Sequence, residues 1–418
     1  MLTSIAEPSQ ASEAIGNRNT AVLVIFTALT NLADGVTKVA LPLMATTLTH
    51  SPARVSGVSL TLTLPWLLVA LHVGVLVDRA DRRALLWIAN AMRIAAIALL
   101  VALLLSGRVT LPMLYASGLT LGVAEVVALT SAAALIPDAV APSGRERANA
   151  WIAGAETVCN EFCSPLAGGM LVAAGTAIAL GAVSVGYFAG IVTLFFLIGR
   201  FRVAHAAHAR PEPVRRQIAE GLGCLWHQPL LRLMAVALTV LCMCWGAWLA
   251  LMPLFATTTL GLDSRGYGVT VSALGIGGFV GALTVASLNR RFGRRAVMLT
   301  DLLGTFAMMA VPVLSTNLWA IAASAFAGGL GGTLWTVNAR TISQHLVPGP
   351  LLGRYNAAAR LFSWGAMPIG AGLAGAIAEP LGMRAAFAVL AFATLLLIVP
   401  FLRVAATESL QVGLERRH

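Results

Sequence analysis

The sequence predicts an all-α membrane protein whose twelve transmembrane helices form two pseudo-symmetric six-helix bundles. Of its 418 residues, 58% are hydrophobic and only 11% are charged, and the mean hydropathy is +0.84. Soluble domains average about 25% charged residues, so the composition favours an integral membrane protein. The apolar residues fall into twelve runs long enough to cross a bilayer, and the second half of the chain repeats the first.

Each apolar run is continuous rather than alternating, which is typical of membrane helices and not of membrane β-barrels. Residues 1–20 lack the apolar core of a signal peptide, so we expect the first run to remain as a helix. In chain order the predicted spans are approximately 21–47, 55–77, 84–105, 111–135, 148–173, 177–199, 229–259, 266–288, 296–315, 318–346, 355–379 and 385–402.

The arginines between the runs predict the orientation. With twelve spans both termini lie on one side, and that side holds nineteen of the 28 lysines and arginines, against four on the other side. Cytoplasmic loops carry the excess of positive charge. We therefore predict a multi-pass protein of the bacterial plasma (inner) membrane with both termini in the cytoplasm. The net charge of +11 is then a topological signal, and no nucleic-acid partner is expected.

The longest loop divides the predicted spans six and six. We predict an N-terminal six-helix bundle over 1–199, a cytoplasmic linker over 200–228, and a C-terminal six-helix bundle with a short cytoplasmic tail over 229–418. Within the linker, residues 214–226 are predicted to form a short helix on the membrane surface.

An internal repeat relates the two bundles. A shift of 211 residues aligns PLMATT at 42–47 with PLFATT at 253–258, and the dipeptide 78–79 with 289–290. Because this one shift holds across two helices, we infer that a six-helix unit was duplicated. Parallel halves of this kind place a binding site between them near the bilayer midplane.

The basic turn after the second span carries a family motif. The stretch Gly74-x-x-x-Asp78-Arg79-x-x-Arg82-Arg83, together with twelve spans and a parallel repeat, resembles the major facilitator superfamily. Further stretches around Asp34, Glu156 and Arg354 are similar to its bacterial secretion-effector branch, which includes the enterobactin exporter and macrolide-efflux proteins. The resemblance implies a secondary active transporter that exports a drug-like or siderophore-like small molecule by proton-coupled alternating access.

The resemblance also implies a gating role for the turn. Asp78 would clamp the end of the second helix against the other half when the protein faces outward, and Gly74 would permit close helix contact. Arg79, Arg82 and Arg83 would add charge contacts. Two positions depart from proton-coupled drug antiporters, which have an arginine at the place of Gly118 and a glycine at that of Ser164. An importer or uniporter of the same fold, and a non-transporting receptor or assembly protein, remain alternatives.

Ionisable residues within the spans of the first half are candidates for coupling, because charge in a membrane is costly and usually functional. Asp34 and Lys38 lie four residues apart on one helix face, and each is predicted to be the other's partner, either as a tuned acid or as a permanent ion pair. Glu125 and Glu156 lie inside their spans, and Asn160 follows Glu156 one turn later. Burial favours the neutral form of a carboxyl group, as proton coupling requires. The alternative is that these acids pair with Arg93 or another buried polar group.

The second half offers a smaller polar set. Trp335, Asn338 and Arg340 lie close together in the tenth span, where a cation at depth suggests an anionic substrate group or a carboxylate partner. A shift of 203 residues pairs Pro165 with Pro368 and Gly169 with Gly372. Prolines permit bending and glycines permit close approach, so we predict hinges at these four residues, although close packing alone would need the same residues.

No motif for catalysis is present. The sequence contains no H-E-x-x-H, P-loop or G-x-S-x-G motif, and its five cysteines lack the spacing of a disulfide framework or a zinc site. We therefore expect no enzyme activity, no catalytic residues, no cofactor and no metal. The expected partners are a small-molecule substrate, protons and the lipid bilayer, and we expect a monomer.

Overall fold

The computed structural model describes the backbone of residues 10–199, 214–348, 351, 355, 358–359 and 361–415, and most of their side chains. Within these residues all regular structure is helical, which confirms the predicted all-α class. The helices are α1 (Gln10–Leu48), α2 (Pro52–Leu68), α3 (Ala70–Arg79), α4 (Arg82–Leu105), α5 (Leu111–Ala139), α6 (Arg145–Glu156), a π-helical segment (Thr157–Cys163), α7 (Ser164–Ala174), α8 (Thr176–Leu194), α9 (Val214–His227), α10 (Pro229–Thr258), α11 (Ser264–Leu314), α12 (Leu318–Leu346), α13 (Ala366–Leu381) and α14 (Met383–Glu415).

Side chains in the turns determine where several helices begin. The Ser51 hydroxyl accepts a hydrogen bond from the Arg54 amide at the start of α2, and Asp81 accepts from two amides at the start of α4. Asp263 and Asn317 do the same for α11 and α12. Such caps satisfy amides that have no partner within the helix. Asp81, which departs from the family motif, therefore has a local structural role.

Nine described helices are long and apolar enough to cross a membrane. They differ from the twelve predicted spans at three places. The predicted span 55–77 is interrupted at Val69, and 148–173 contains the π-helical segment. The spans 266–288 and 296–315 form one helical stretch, α11, whose two arms meet at Gly293 with φ 78° and ψ 152°. The count of twelve therefore stays a prediction.

Contacts between helix ends show that α2, α5 and α8 run opposite to α1. Near the start of α1, the Asn19 amide donates to the carbonyl oxygens of Ala139, at the end of α5, and Ile198, just beyond the end of α8. At the other end, the Tyr115 hydroxyl at the start of α5 donates to the Arg54 carbonyl. We call the end at which α1 begins the proximal end, and the end at which α1 terminates the distal end.

The two halves of the chain repeat in their packing as well as in their sequence. Buried positions of α4 coincide with buried positions of the second arm of α11 after a shift of 212 residues, one more than the shift found before the turn. The extra residue lies in the turn, where residues 291–293 of the second half correspond to the two residues 80–81 of the first half. The coinciding positions are 85, 86, 89, 90, 93, 96, 97 and 100 in α4 and 297, 298, 301, 302, 305, 308, 309 and 312 in α11.

The halves meet along two seams that are closed toward the distal end. In the first, α2 runs antiparallel to α13 and the residues just before it: a Cβ built on Gly375 would lie 1.9 Å from Ser56 Oγ, and Trp66 stacks on Trp364, which precedes α13, with ring centroids 5.1 Å apart. In the second, a Cβ built on Gly169 of α7 would lie 2.6 Å from the Gly268 Cα of α11.

The proximal end is open. A Cβ built on Gly74 of α3 or Gly154 of α6 would meet no atom of the described residues within 4 Å, and Trp151 is exposed. Within the described residues, α3 and α6 have no packing against the second half comparable to that of α2 and α7. The described residues therefore form a distally closed, proximally open state.

Candidate functional site

An internal cavity is indicated by the exposure pattern of α1. Between positions 33 and 46 every residue is buried except Lys38. A helix enclosed by protein on all sides shows solvent only to an internal space, so Lys38, with 32% of its side chain exposed, faces a cavity rather than lipid. Val39 and Leu43, by contrast, pack into the apolar cluster around Trp248 of the second half.

Asp34 pairs with a neighbouring helix. Arg93 of α4 donates from Nη2 to Asp34 Oδ2 at 2.8 Å, and Tyr187 of α8 donates its hydroxyl proton to Asp34 Oδ1 at 2.7 Å. The side chains of Arg93 and Asp34 are 1% and 8% exposed. The expectation that Asp34 pairs with Lys38 is therefore wrong, because tertiary packing brings Arg93 and Tyr187 closer than the residue one turn away on the same helix.

Lys38 also pairs with a different helix. Its ammonium donates to Glu125 Oε1 of α5 at 3.0 Å, and the Glu125 side chain is only 7% exposed. Glu125 thus has a cation partner, as the alternative to a free acid allowed, although that partner is Lys38 rather than Arg93.

The two ion pairs form one electrostatic unit. Asp34 lies close enough to Arg93, Glu125 and Lys38 for their charges to act on it, so a change of charge on one of these residues alters the protonation equilibrium of the others. The Arg93 guanidinium also lies over the Tyr187 ring at 5.2 Å and donates to Asn90 at 3.4 Å. Its Nε has no hydrogen-bond partner among the described residues. We call Asp34, Lys38, Asn90, Arg93, Glu125 and Tyr187 the charged network.

Glu156 and Asn160 lie beside a backbone irregularity. Glu156 is the last residue of α6 and is partly exposed, and Asn160 lies within the π-helical segment. The Asn160 carbonyl accepts a hydrogen bond from Ser164, which faces Gly35 of α1 so closely that a Cβ on Gly35 would lie 1.8 Å from Ser164 Oγ. π-Helical segments often mark functional positions. The coupling roles of Glu156 and Asn160 stay predictions.

The polar residues of the second half are dispersed. Asn338 is buried and accepts a hydrogen bond from Asn289 Nδ2 at 2.9 Å. Asn289 is the residue that corresponds to Asp78 in the repeat, so Asn338 fixes the side chain at that position. Trp335 is buried, and its indole N–H has no partner among the described residues. Arg340 is exposed, and its expected contact with an anionic substrate group or a carboxylate stays a prediction. The structure does not join these residues to the charged network.

The basic turn is fixed within its own half. Arg82 forms a salt bridge with Asp138 and donates to the Ala134 carbonyl, both in α5, while Arg79 is exposed and Arg83 is partly exposed. The side chain of Asp78 lies outside the described residues, and so does that of Pro165.

The predicted hinge residues lie where helices restart. Residue 165 is in the first turn of α7, immediately after the π-helical segment, and Pro368 is in the first turn of α13. Gly169 lies in the second seam, and a Cβ built on Gly372 would lie 3.8 Å from the methyl carbons of Leu60 of α2. Their hinge function stays a prediction.

Sequence analysis missed several residues that matter here. Tyr187 gave no signal, since a tyrosine in an apolar run is typical of packing. Arg93 was noticed only as a possible partner of the glutamates. Glu379 of α13, which accepts hydrogen bonds from Ser51 Oγ at 2.7 Å and the Ala53 amide at 3.0 Å across the first seam, was not noticed.

Known proteins share this sequence pattern and fold. The model of the transmembrane secretion effector family matches residues 14–414. Over 394 residues the chain is 28% identical to the multidrug efflux pump Tap of Mycolicibacterium fortuitum, covering 91% of this chain and 94% of the relative. A bacterial homologue of the iron transporter ferroportin, solved in an inward-facing state, matches with a TM-score of 0.71 and 16% identity over 93% of this chain and 98% of its own. The nucleoside transporter NupG matches with a TM-score of 0.70 and 12% identity over 92% of this chain and 98% of its own.

The family match extends over nearly the whole chain, and the solved structures are transporters that share its fold. Both findings confirm the resemblance inferred from the basic turn and the repeat. The chain belongs to the transmembrane secretion effector family of the major facilitator superfamily, and it is a multi-pass membrane transporter rather than an enzyme.

Proposed function

We propose that this transporter exports small, drug-like or siderophore-like molecules from a bacterial cell in exchange for protons. The observation that carries the proposal is the Lys38–Glu125 pair, a buried acid held by a cation that faces the internal cavity. Ionisable residues inside a membrane protein commonly form proton pathways or contact substrates. The efflux direction is supported by the similarity to a multidrug efflux pump.

Protonation acts on this pair directly. A proton that reaches Glu125 neutralises the carboxylate and removes the partner of Lys38. The other carboxylate on the same face of α1 is Asp34, which Arg93 and Tyr187 already occupy. The ammonium therefore has to move into the cavity or disturb the neighbouring pair, and either response favours a different arrangement of α1, α4 and α5.

The helix α1 can carry this change to the second half. Val39, the residue after Lys38, packs into the second half's apolar cluster, and Gly35 packs against Ser164 beside the π-helical segment. A shift of α1 relative to α5 thus acts on contacts between the halves. Protonation and substrate binding then bias one equilibrium between two states, as alternating access requires.

The predicted orientation assigns the state. If both termini are cytoplasmic, the proximal end faces the cytoplasm of the bacterium and the structure is the inward-facing state. A substrate would enter the proximal opening, meet the cavity beside Lys38, and leave after the distal seams separate.

Dye transport in everted membrane vesicles tests the proposal. With the vesicle interior made acidic, an antiporter lets protons out and accumulates ethidium, a lipophilic dye. We expect the protein to accelerate ethidium accumulation as the gradient grows. In Glu125→Gln the rate should no longer depend on the gradient, while Glu146→Gln, which changes an exposed carboxylate of α6, should behave like the unaltered protein.

The same measurement separates the alternatives. Ethidium that leaves the vesicles together with protons would identify an importer. A rate that is independent of the gradient would identify a uniporter, and no protein-dependent movement under any gradient would contradict a drug-like substrate.

A further inference from the structure

A second buried acid lies in the second half, outside the charged network. Asp301, in the second arm of α11, is 2% exposed. Its hydrogen bond comes from the Thr305 hydroxyl at 3.2 Å, one turn along the same helix. Within the described part of the chain, no lysine, arginine or histidine lies within salt-bridge distance of Asp301, whereas Asp34 has both a guanidinium and a phenol.

The helices packed around Asp301 offer little that could stabilise a negative charge. From α10, Cys242 and Cys244 lie on the side of the helix near Asp301, and neither thiol offers a positive charge. From α12, Gly331 approaches so closely that a Cβ there would lie 3.0 Å from Asp301 Oδ1. The described arginines and histidines of these helices, of the second arm of α11 and of α14 are exposed: Arg232 on α10, Arg294 and Arg295 on α11, Arg340 and His345 on α12, and Arg384 and Arg403 on α14.

An ionised carboxylate in such surroundings is strongly disfavoured. Removing a charge from water without a cation partner is costly, so a buried carboxyl group takes up a proton instead. The repeat strengthens the contrast, because the residue of the second half that corresponds to Arg93 is Thr305. The second half therefore lacks the arginine that holds the acid in the first half.

The position of Asp301 connects it to the first seam. Cys242 and Cys244 flank Met243 on α10, and a Cβ built on Gly370 of α13 would lie 2.0 Å from the Met243 carbonyl oxygen. One turn later a Cβ on Gly246 would lie 2.2 Å from the Met367 oxygen of α13. Only α10 thus separates Asp301 from α13, the helix that carries Gly375 and Glu379 of the first seam.

We propose that Asp301 is a second proton-binding site, which holds a proton in this proximally open state and releases it when α10 and α13 rearrange. The ligand is a proton, and the site belongs to the second half, independent of Glu125. The proposal rests on the proposed proton coupling only for its consequence in transport, because the protonation of Asp301 is measurable without any flux.

Infrared difference spectroscopy of the full-length protein in lipid nanodiscs tests this proposal. The carbonyl stretch of a protonated carboxyl group is resolved from that of a carboxylate. At neutral pH we expect such a band in the unaltered protein, in Asp34→Asn and in Glu125→Gln, and its loss in Asp301→Asn. Asp301→Glu should restore it at a shifted frequency. The band should decrease as the pH is raised, and at neutral pH when the distal seams are opened by Glu379→Ala.

Two results would overturn the proposal. One is the absence of a band that depends on Asp301 at neutral pH. The other is a band that stays constant from acidic to alkaline pH and in Glu379→Ala, which would make Asp301 a permanently neutral packing group. A band that titrates while ethidium flux ignores the gradient would leave Asp301 as a proton site and reject proton antiport. Ethidium flux that follows the gradient, in a protein without the Asp301 band, would support proton antiport and reject Asp301 as a proton site.

Discussion

The guanidinium of Arg93 and the carboxylate of Asp34 lie among the most deeply buried charges of the molecule, and each compensates the other. Removal of one partner from a buried pair leaves an uncompensated charge and costs about 3–5 kcal/mol. We expect Arg93→Leu to lower the free energy of unfolding by an amount of this order. Thermal unfolding of the purified protein in detergent measures the loss.

A double-mutant cycle is the control for this residue pair. Asp34→Asn combined with Arg93→Leu removes both charges, so the double variant should be more stable than Arg93→Leu alone. If the two single losses simply add, the pair contributes no interaction and the stability of this region has another source.

Side-chain partners at this scale could be predicted only in part. Their presence in the membrane was evident, because Asp34, Lys38, Arg93 and Glu125 interrupt apolar runs. Their pairing was not, since spacing along one helix indicates a shared face but says nothing about which helix packs against that face. Tyr187 lay beyond sequence reasoning for the same reason.

At the scale of elements, Glu379 of α13 caps the first turn of α2 across the first seam. Its carboxylate accepts from Ser51 Oγ and the Ala53 amide, and a carboxylate at a helix N-terminus is stabilising. We expect Glu379→Ala to shift the equilibrium toward a distally open state. In a cysteine-free background with Ser56→Cys, labelling by an impermeant maleimide from the distal side should become severalfold faster.

Glu379→Gln is the graded comparison for the cap. Its amide oxygen can still accept hydrogen bonds but carries no charge, so its labelling rate should lie between those of Glu379→Ala and the unaltered protein. Equal labelling rates in all three proteins would contradict a role for the cap in holding the distal end closed.

The second seam allows a matched comparison of two glycines in one predicted span. A Cβ at Gly169 would press against the backbone of Gly268, whereas a Cβ at Gly154 would meet no described atom within 4 Å. We expect Gly169→Ala to open the distal seam or lower the melting temperature, and Gly154→Ala to change neither. The same labelling assay and a thermal melt measure both effects, and identical behaviour of the two variants would refute the seam.

Helix ends and helix interiors differed in how well they could be predicted. Turns with strong signals, such as Asp81 before α4 and Asn317 before α12, lie close to the predicted boundaries. The break at Val69 and the π-helical segment Thr157–Cys163 were not predicted, because one extra residue in a helical turn hardly disturbs an apolar pattern.

At the scale of the whole molecule, the proximal turn should matter in the state opposite to this one. In this structure the proximal end is open, and a clamp that includes Asp78 would form only after it closes. We expect Asp78→Asn to reach the membrane in normal amount and to lose most dye transport, because the closed proximal end is no longer held. Immunoblotting of membranes and ethidium efflux check the two parts, and unchanged efflux would reduce the turn to a topological signal.

The architecture itself followed from the sequence. Apolar runs, arginine placement and the repeat depend on bilayer thickness and on duplication, which leave regular traces over the whole chain. The state of the transporter did not follow, because the two states of such a protein share one sequence and differ in contacts like Gly169–Gly268.

The stacked rings of Trp66 and Trp364 lie at the proximal end of the closed part of the first seam, and Ala53 lies about 13 residues away along α2. At 1.5 Å per residue this makes a lever arm of about 20 Å. A rotation of about 15° around the stack, as in other rigid-body transitions, moves Ala53 by about 5 Å. Such a gap admits water and protons but is narrow for a drug-sized molecule. The aromatic stack would thus be the pivot of the opening motion, and the passage of substrates larger than that gap would require the two rings to separate.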